Sequence, residues 1–171
     1  MWKFSKGIRD QLILALGIGS GLRRTEIATL KLKDIDEKAG RIRIIGKGNK
    51  QRTIFSSKET WDLLHRWVAL RGTDGCRELI CAVRKGGNID PFTPVTGNSI
   101  YQMLRTLALR ADVGTFKPHD LRRTFATRMF EVGADINIVR QAMGHTSIAT
   151  TQRYDKRDQT AVKRFASHLE I

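Results

Sequence analysis

The sequence predicts a mainly helical α+β domain with one small antiparallel sheet. Apolar residues recur at helical spacing along most of the chain, whereas Arg41–Ile45 alternates polar and apolar residues like a strand. A glycine-rich turn follows that strand, and a second short strand follows the turn. With 171 residues, 40% hydrophobic and 28% charged, the chain has the length and composition of one folded domain with its own core.

The composition is strongly basic. The chain has 31 Lys and Arg against 17 Asp and Glu, which gives a formal net charge of +14 and a pI near 10.5. Nucleic acid is therefore the first partner to expect, with a generally basic protein or a binder of anionic lipid as the alternatives. The longest apolar run, Leu12–Ile18, is too short to span a bilayer, so no membrane partner is expected.

The lack of targeting motifs and the pattern of the cysteines together favour a cytoplasmic protein without a metal site. No signal peptide or lipidation motif is seen in the sequence. The two cysteines, Cys76 and Cys81, have no nearby ligand to complete a zinc site and are interpreted as reduced thiols.

Two helices are predicted at the start of the chain. Ser5 can cap the first, and three glycines, Gly17, Gly19 and Gly21, are expected to end it. The apolar positions of this helix are Ile8, Leu12, Ala15 and Leu16. Because a second, short helix is predicted from Thr25, Arg23 would lie on the intervening turn, where a helix N-terminus also attracts anions.

The predicted sheet is a hairpin with an edge strand. Arg41–Ile45 and residues 52–55 would pair around the turn Gly46–Lys50, and Ile35–Asp36 can add a third strand. Lys47 and Lys50 lie at the tip. A lysine between glycines can swing into a site, although loop lysines kept for solubility are the alternative.

The middle of the chain is predicted to contain two helices separated by a long basic loop. Ser56 and Glu59 form a capping box for the first helix, whose inward residues are predicted to be Trp61, Leu64 and Val68. Residues 71–97 are interpreted as a long, basic loop region in which only Leu79–Val83 is expected to be ordered. A helix resumes at residues 96–99, with Ile100, Met103, Leu104 and Leu107 inward, and stops at Gly114.

The most informative stretch runs from Lys117 to Tyr154. Pro118 is a plausible first residue of a helix on which His119 and Arg122 share one face. Asp135 can cap a further helix, with Ile136, Val139 and Met143 inward, that ends at Gly144-His145. Tyr154 follows nine residues after His145. A last helix is predicted over residues 158–169.

Six residues from separate elements are candidates for one site: Arg23, Lys47, His119, Arg122, His145 and Tyr154. The sequence has no cluster of carboxylates that would hold magnesium, and this set suits metal-free phosphoryl transfer. Two arginines can bind the oxygens of a phosphodiester and stabilise its transition state. A tyrosine can attack the phosphorus once a base accepts its proton.

In these residues the chain resembles the tyrosine recombinases, also called lambda-type integrases, over about residues 5–165. Four ordered motifs carry the resemblance: Gly21-Leu22-Arg23-x-x-Glu26, then Gly46-Lys47-Gly48-Asn49-Lys50-x-Arg52, then His119-x-Leu121-Arg122-x-Thr124-Phe125-Ala126-Thr127, and finally Gly144-His145 with Thr151-x-x-Tyr154. Each motif is weak alone, but their common order and spacing are specific. The resemblance implies the catalytic-domain fold of that family, double-stranded DNA as partner, and neither cofactor nor metal.

The resemblance also implies a role for each candidate. Arg23 and Arg122 would clamp the scissile phosphate, and His119 would take the proton of the nucleophile, Tyr154. Lys47 would protonate the departing 5′ oxygen. His145 would support the phosphate by a hydrogen bond, at a position where relatives can carry Trp. The product would be a 3′-phosphotyrosyl link. Two departures from the family pattern, Arg123 in place of His and Met143 in place of Leu, remove no functional group.

The resemblance further implies an assembly. Relatives carry a helical core-binding domain ahead of the catalytic domain, so residues 1–171 are expected to be one catalytic domain that clasps one side of a duplex. The whole protein would act as a tetramer on DNA, with this domain alone a monomer. Residues 155–171 would form a tail helix, docked either on its own domain or on a neighbouring protomer.

Two other functions stay open. A type IB topoisomerase shares the cleavage chemistry but reseals the same strand; the short hairpin and the spacing from Gly144-His145 to Tyr154 favour a recombinase. A DNA-binding regulator that has lost catalysis is the other alternative, against which the complete set of candidates speaks.

Overall fold

A computed structural model describes residues 7–46, 48, 50–114 and 116–155. Within these residues the chain is mainly helical and has two small antiparallel sheets, which confirms the predicted fold class. The helices are α1 (Ile8–Ile18), α2 (Arg24–Thr29), α3 (Lys58–Arg71), α4 (Gly97–Ala111), α5 (Pro118–Glu131), α6 (Ile136–Met143) and α7 (Ile148–Gln152). The strands are β1 (Ile35–Asp36), β2 (Arg41–Ile45), β3 (Gln51–Phe55), β4 (Cys81–Val83) and β5 (Ile89–Pro94). The predicted cap Ser5 and the predicted tail helix lie outside the described residues.

Helix α1 lies at the centre of the main core and packs against α3 and α5. It continues through Gly17, so the prediction that Gly17 breaks the helix is wrong. A Cβ at Gly17 would lie 2.6 Å from Cδ1 of Leu121, which shows that this glycine allows α5 to approach closely. The helix ends at Gly19, whose N–H donates to the carbonyl of Ala15.

The predicted three-stranded sheet is confirmed, with strand order β1-β2-β3. Ile35 pairs with Ile42, and Ile42 pairs with Ile54 in the hairpin of β2 and β3. Ile42, Ile44 and Ile54 are buried, while the residues between them face outward, as the alternating sequence predicts. The hairpin therefore joins the main core through one face.

The second sheet was not predicted. Strand β4 lies within Leu79–Val83, the segment that the sequence indicates to be ordered, but it pairs antiparallel with β5, so the prediction that the rest of residues 71–97 is loop is wrong. Strand β5 contains Pro91 and Pro94, which lack the N–H that a central strand would donate. Each strand of a two-stranded sheet has one edge without a partner strand, and a residue facing that edge does not need to donate its N–H. Proline is therefore tolerated in β5, although prolines in a sequence usually argue against a strand.

Helix α3 begins one residue later than predicted, and a different tryptophan enters the core. Ser57, not Ser56, is the N-cap and accepts a hydrogen bond from the backbone N–H of Thr60. Trp67 is 1% exposed and donates its indole N–H to the carbonyl of Leu79 at 2.8 Å. The predicted core residue Trp61 is only partly buried at the edge of that core.

Helix α5 connects two apolar clusters. Leu121, near its start, belongs to the main core, whereas Ala126 and Phe130 pack with Val139 and Met143 of α6 in a second, smaller cluster. The predicted inward face of α6 is thereby confirmed. Over the described ranges, the helices are too short or too polar to cross a membrane.

Candidate functional site

Tyr154 and His119 form a hydrogen-bonded pair. Tyr154 follows α7, and its backbone N–H donates to the carbonyl of Thr151 at 3.0 Å. His119 lies in the first turn of α5, which begins at Pro118 as predicted. The phenol oxygen of Tyr154 lies 2.7 Å from Nε2 of His119. The imidazole is therefore within reach of the phenolic proton.

Arg122 lies one helical turn after His119 and is buried, with 2% of its surface exposed. Its guanidinium donates to the carbonyl of Gly21 and, at 2.8 Å, to the carbonyl of Met143. Burial and the nearby charge of Arg23 lower the pKa of Arg122 to about 10. The side chain thus remains cationic at neutral pH and is fixed by two backbone segments.

His145 lies beside Arg122, directly after the turn that ends α6. Its Nε2 is 3.4 Å from Nη2 of Arg122, and its Nδ1 is 3.0 Å from the hydroxyl oxygen of Thr151. Burial, followed by the charges of Arg122 and Arg23, lowers the pKa of His145 to about 4. The imidazole is neutral at pH 7, which suits hydrogen bonding rather than charge pairing.

Arg23 is the N-cap of α2 and faces the same site. Its guanidinium donates to Oε1 of Glu26 at 2.8 Å and to the carbonyl of Gly144 at 3.4 Å. About 39% of its side chain is exposed, so the guanidinium also reaches solvent. Between α2, α4 and α5 lies a groove of about 330 Å³. Its lining includes Arg23, Arg24, Tyr101, Lys117, His119 and Arg122.

Glu26 and Arg52 hold the site arginines, Arg23 and Arg122, in place. The sequence did not predict this role. The two oxygens of Glu26 accept hydrogen bonds from Nη1 and Nη2 of Arg52, both at 2.8 Å. Burial opposes ionisation of Glu26, but hydrogen bonds from Arg52 and Arg23 outweigh it and lower the carboxyl pKa to about 2. Glu26 Oε2 is 3.8 Å from Nη1 of Arg122, so one carboxylate serves three arginines.

A signal for this pair was present in the sequence. Glu26 and Arg52 both stand in the quoted motifs, at fixed distances from Arg23 and Lys47. What the sequence could not provide is the burial of Glu26, to 5% exposed, which makes its charge depend on partners from another element.

Five of the six predicted site residues therefore come together. Lys47, the sixth, lies outside the described residues. The flanking residues Gly46 and Lys50 close the base of the turn, with the N–H of Gly46 donating to the carbonyl of Lys50 at 2.8 Å. Among the described residues, no group of three or more His, Cys, Asp or Glu side chains could hold a metal ion.

The sequence and the fold of this chain match a known family. The model of the phage integrase family matches residues 1–160, and the chain belongs to that family. It is 36% identical over 155 residues to tyrosine recombinase XerC of Mycobacterium tuberculosis (strain ATCC 25177 / H37Ra), covering 86% of this chain and 49% of that protein. XerC of Myxococcus xanthus is 35% identical over 161 residues, covering 86% and 50%.

Solved structures agree on the fold. The crystal structure of XerA recombinase is 27% identical with a TM-score of 0.78, covering 96% of this chain and 59% of that one. XerH site-specific recombinase bound to its difH substrate is 26% identical with a TM-score of 0.72, covering 96% and 47%. The predicted tyrosine recombinase catalytic-domain fold is confirmed. The chain spans about half the length of the curated relatives it matches.

Proposed function

We propose that this chain carries out site-specific DNA recombination by cutting and rejoining strands through a 3′-phosphotyrosyl intermediate. The observation that carries the proposal is the 2.7 Å hydrogen bond between Tyr154 and His119, beside the buried cation of Arg122. A phenol paired with a base next to an anion-binding group is the arrangement that tyrosine needs to attack a phosphodiester.

In the cleavage step, Nε2 of His119 takes the proton of Tyr154. The phenolate oxygen then bonds to phosphorus, and the bond from phosphorus to the 5′ oxygen of the next nucleotide breaks. Arg23 and Arg122 bind the non-bridging oxygens, whose charge increases in the transition state. Neutral His145 donates a further hydrogen bond to the phosphate.

Lys47 completes the step as general acid. Its ammonium gives a proton to the departing 5′ oxygen, which becomes a free hydroxyl, while the 3′ phosphate stays on Tyr154. Rejoining is the reverse reaction with a 5′ hydroxyl from another duplex, so the energy of the phosphodiester is kept without ATP.

Double-stranded DNA is the proposed substrate. The chain's net charge of +14 favours a phosphate backbone. A 26% identical neighbour, the site-specific recombinase XerH, was solved bound to its difH substrate, and the XerC relatives are named tyrosine recombinases. We propose that residues 1–171 form a single catalytic domain that binds one side of the duplex.

The proposed assembly is a tetramer on two duplexes, with this domain monomeric in solution. The tail, residues 155–171, docks on a neighbouring protomer in that assembly. Exchange of an identical element between protomers adds little new contact energy, so it is compatible with a monomer in the absence of DNA.

The decisive experiment is a search for the covalent adduct. The protein is incubated at low salt with a pool of nicked duplexes of random sequence, and adducts are separated on a denaturing gel and sequenced. We expect an adduct with the wild type and none with Tyr154→Phe, which removes only the attacking oxygen and keeps DNA affinity.

Tyr101, the chain's other tyrosine, provides the matched control. The Tyr101→Phe variant keeps the phenol of Tyr154 and should still form the adduct; because Tyr101 lines the groove, the presence of the adduct is compared and not its rate. An adduct that survives in Tyr154→Phe would show that the nucleophile is another group. Binding without any adduct would indicate a catalytically silent regulator, and resealing that never uses a second duplex would indicate a topoisomerase.

A further inference from the structure

We propose that Thr151 is a positioning residue. Its hydroxyl orients the His145 ring for a hydrogen bond to the phosphate and fixes the position of that ring relative to Tyr154. This inference rests on the proposed function, because it assigns a role in strand cleavage to a residue that does not itself take part in the reaction. The evidence is the contacts that Thr151 makes with its backbone carbonyl and with its hydroxyl.

Thr151 connects the nucleophile to the neighbouring histidine. It lies in α7 and is 0% exposed. Its carbonyl accepts the backbone N–H of Tyr154 at 3.0 Å, and its hydroxyl oxygen lies 3.0 Å from Nδ1 of His145. Both groups are therefore held by the same buried residue, and a shift of one is transmitted to the other.

The second ring nitrogen of His145 shows why a hydroxyl is needed. Nε2 lies 3.4 Å from Nη2 of Arg122. A guanidinium can only donate, so without DNA the Nε2 atom accepts and the ring proton is on Nδ1. In that state the oxygen of Thr151 accepts the Nδ1 proton.

Phosphate binding reverses these roles. To hydrogen-bond a phosphate oxygen, Nε2 must carry the proton, which leaves Nδ1 as an acceptor. Thr151 then donates its hydroxyl proton to Nδ1. A hydroxyl can accept in one state and donate in the other, so Thr151 serves both forms of His145 without moving.

The chain offers a clean set of variants. Thr151→Val keeps the shape of the side chain and removes the hydroxyl, whereas Thr151→Ser keeps the hydroxyl and removes a methyl group. Thr150, the preceding residue, is exposed. Thr150→Val is therefore the matched control for changing a threonine of α7.

Two measurements test the proposal. The first is the rate of adduct formation on the duplex that gives most adduct with the wild type. Thr151→Val should lower this rate about tenfold, the effect of leaving one buried hydrogen-bonding group unpaired. Thr151→Ser should stay within about threefold of the wild type, and Thr150→Val should match it.

The second measurement is the ¹⁵N signals of the His145 ring in protein without DNA, which distinguish the two tautomers. We expect the Nδ1-protonated form in the wild type and a smaller share of that form in Thr151→Val, because the Nδ1 proton has then lost its acceptor, although Arg122 still disfavours a proton on Nε2. The inference is overturned if Thr151→Val reacts at the wild-type rate, if its tautomer is unchanged, or if Thr151→Ser is as impaired as Thr151→Val. If the wild type forms no adduct on any duplex, the proposed function fails instead, and the tautomer measurement alone decides the role of Thr151.

Discussion

Glu26 is the residue on which the charged part of the site depends. Its buried carboxylate receives hydrogen bonds from Arg23 and Arg52 and lies 3.8 Å from Arg122. Without that carboxylate, the guanidinium groups of three arginines would repel one another around the proposed phosphate site. The carboxylate keeps them together in the absence of DNA.

The first prediction is that Glu26→Gln destabilises the fold in a pH-dependent way. At pH 7 we expect a loss of about 3 kcal/mol in the free energy of unfolding, because buried cations lose their counter-charge. The pKa of Glu26 is about 2 in the fold against an ordinary value of 4.5, so its stabilisation is present above pH 4.5 and is lost as the pH falls from 4.5 to 2.

Urea unfolding at pH 7, 4.5 and 3 measures this effect. The difference between wild type and Glu26→Gln should shrink over that pH range. Glu37→Gln is the control, because Glu37 is an exposed partner of His65, with 69% of its side chain accessible. A constant difference at all three pH values would contradict the attribution of this stabilisation to the ionised carboxylate of Glu26.

The second prediction concerns Lys47. If Lys47 is the general acid, Lys47→Ala should cleave ordinary DNA slowly but recover most of its rate on DNA whose 5′ bridging oxygen is replaced by sulfur, because a thiolate leaves without a proton. Lys50→Ala, at the other end of the same turn, should be little impaired on both substrates. Equal impairment of Lys47→Ala on both would show that Lys47 binds or positions, and would direct attention to Lys50.

At the scale of elements, Arg52 connects the hairpin to the turn between α6 and α7. It belongs to β3, and its Nε donates to the carbonyl of Ala142 at 3.2 Å. Its side chain lies against Gly144, where a Cβ would be 3.1 Å from Cδ and from Nη1 of Arg52. Gly144 has φ +61°, the left-handed conformation that commonly ends a helix. The glycine therefore serves both the turn and the approach of Arg52.

The third prediction separates these two effects. Gly40→Ala is the reference, because Gly40 has φ +60° and open space around its Cα, so this change should cost only about 1 kcal/mol of backbone strain. Gly144→Ala should cost about 1–2 kcal/mol more, because Arg52 must also move away. Urea unfolding of both variants measures the difference, and equal losses would show that the contact with Arg52 is unimportant.

The elements that sequence analysis predicted are those with local signals. The helix from Pro118 and the cap at Asp135 follow from capping residues, and the hairpin follows from its glycine-rich turn and alternating strands. Strand β5 was missed because its prolines argue against a strand, and its pairing with β4 is a property of the tertiary fold. The support of Arg23 by Glu26 and Arg52 was missed because burial cannot be read from a motif.

At the scale of the whole molecule, the site lies where two parts of the chain meet. Arg122 donates to the carbonyl of Gly21, after α1, and to that of Met143, at the end of α6. Helix α5, which carries Arg122, contributes residues to both apolar clusters. The site therefore forms only when the smaller cluster is closed against the main core, so local opening of α6 and α7 would remove His145 and Tyr154 together.

The last prediction concerns the tail beyond Tyr154. In the helix predicted over residues 158–169, one apolar face would be formed by Val162, Phe165, Ala166 and Leu169, and such a face would need a partner surface. If the tail docks on a neighbouring protomer, deleting residues 160–171 should leave binding to a single duplex nearly intact, while synapsis of two duplexes and recombination are lost. Gel shifts with one duplex, and recombination between two duplexes labelled differently, measure the two effects separately.

Two point variants in the tail provide a matched comparison. His168→Ala, outside the apolar positions, should recombine normally, whereas Phe165→Ala should be impaired. If the truncated protein recombines two duplexes at the full-length rate, the tail covers only its own domain and the exchange between protomers does not occur.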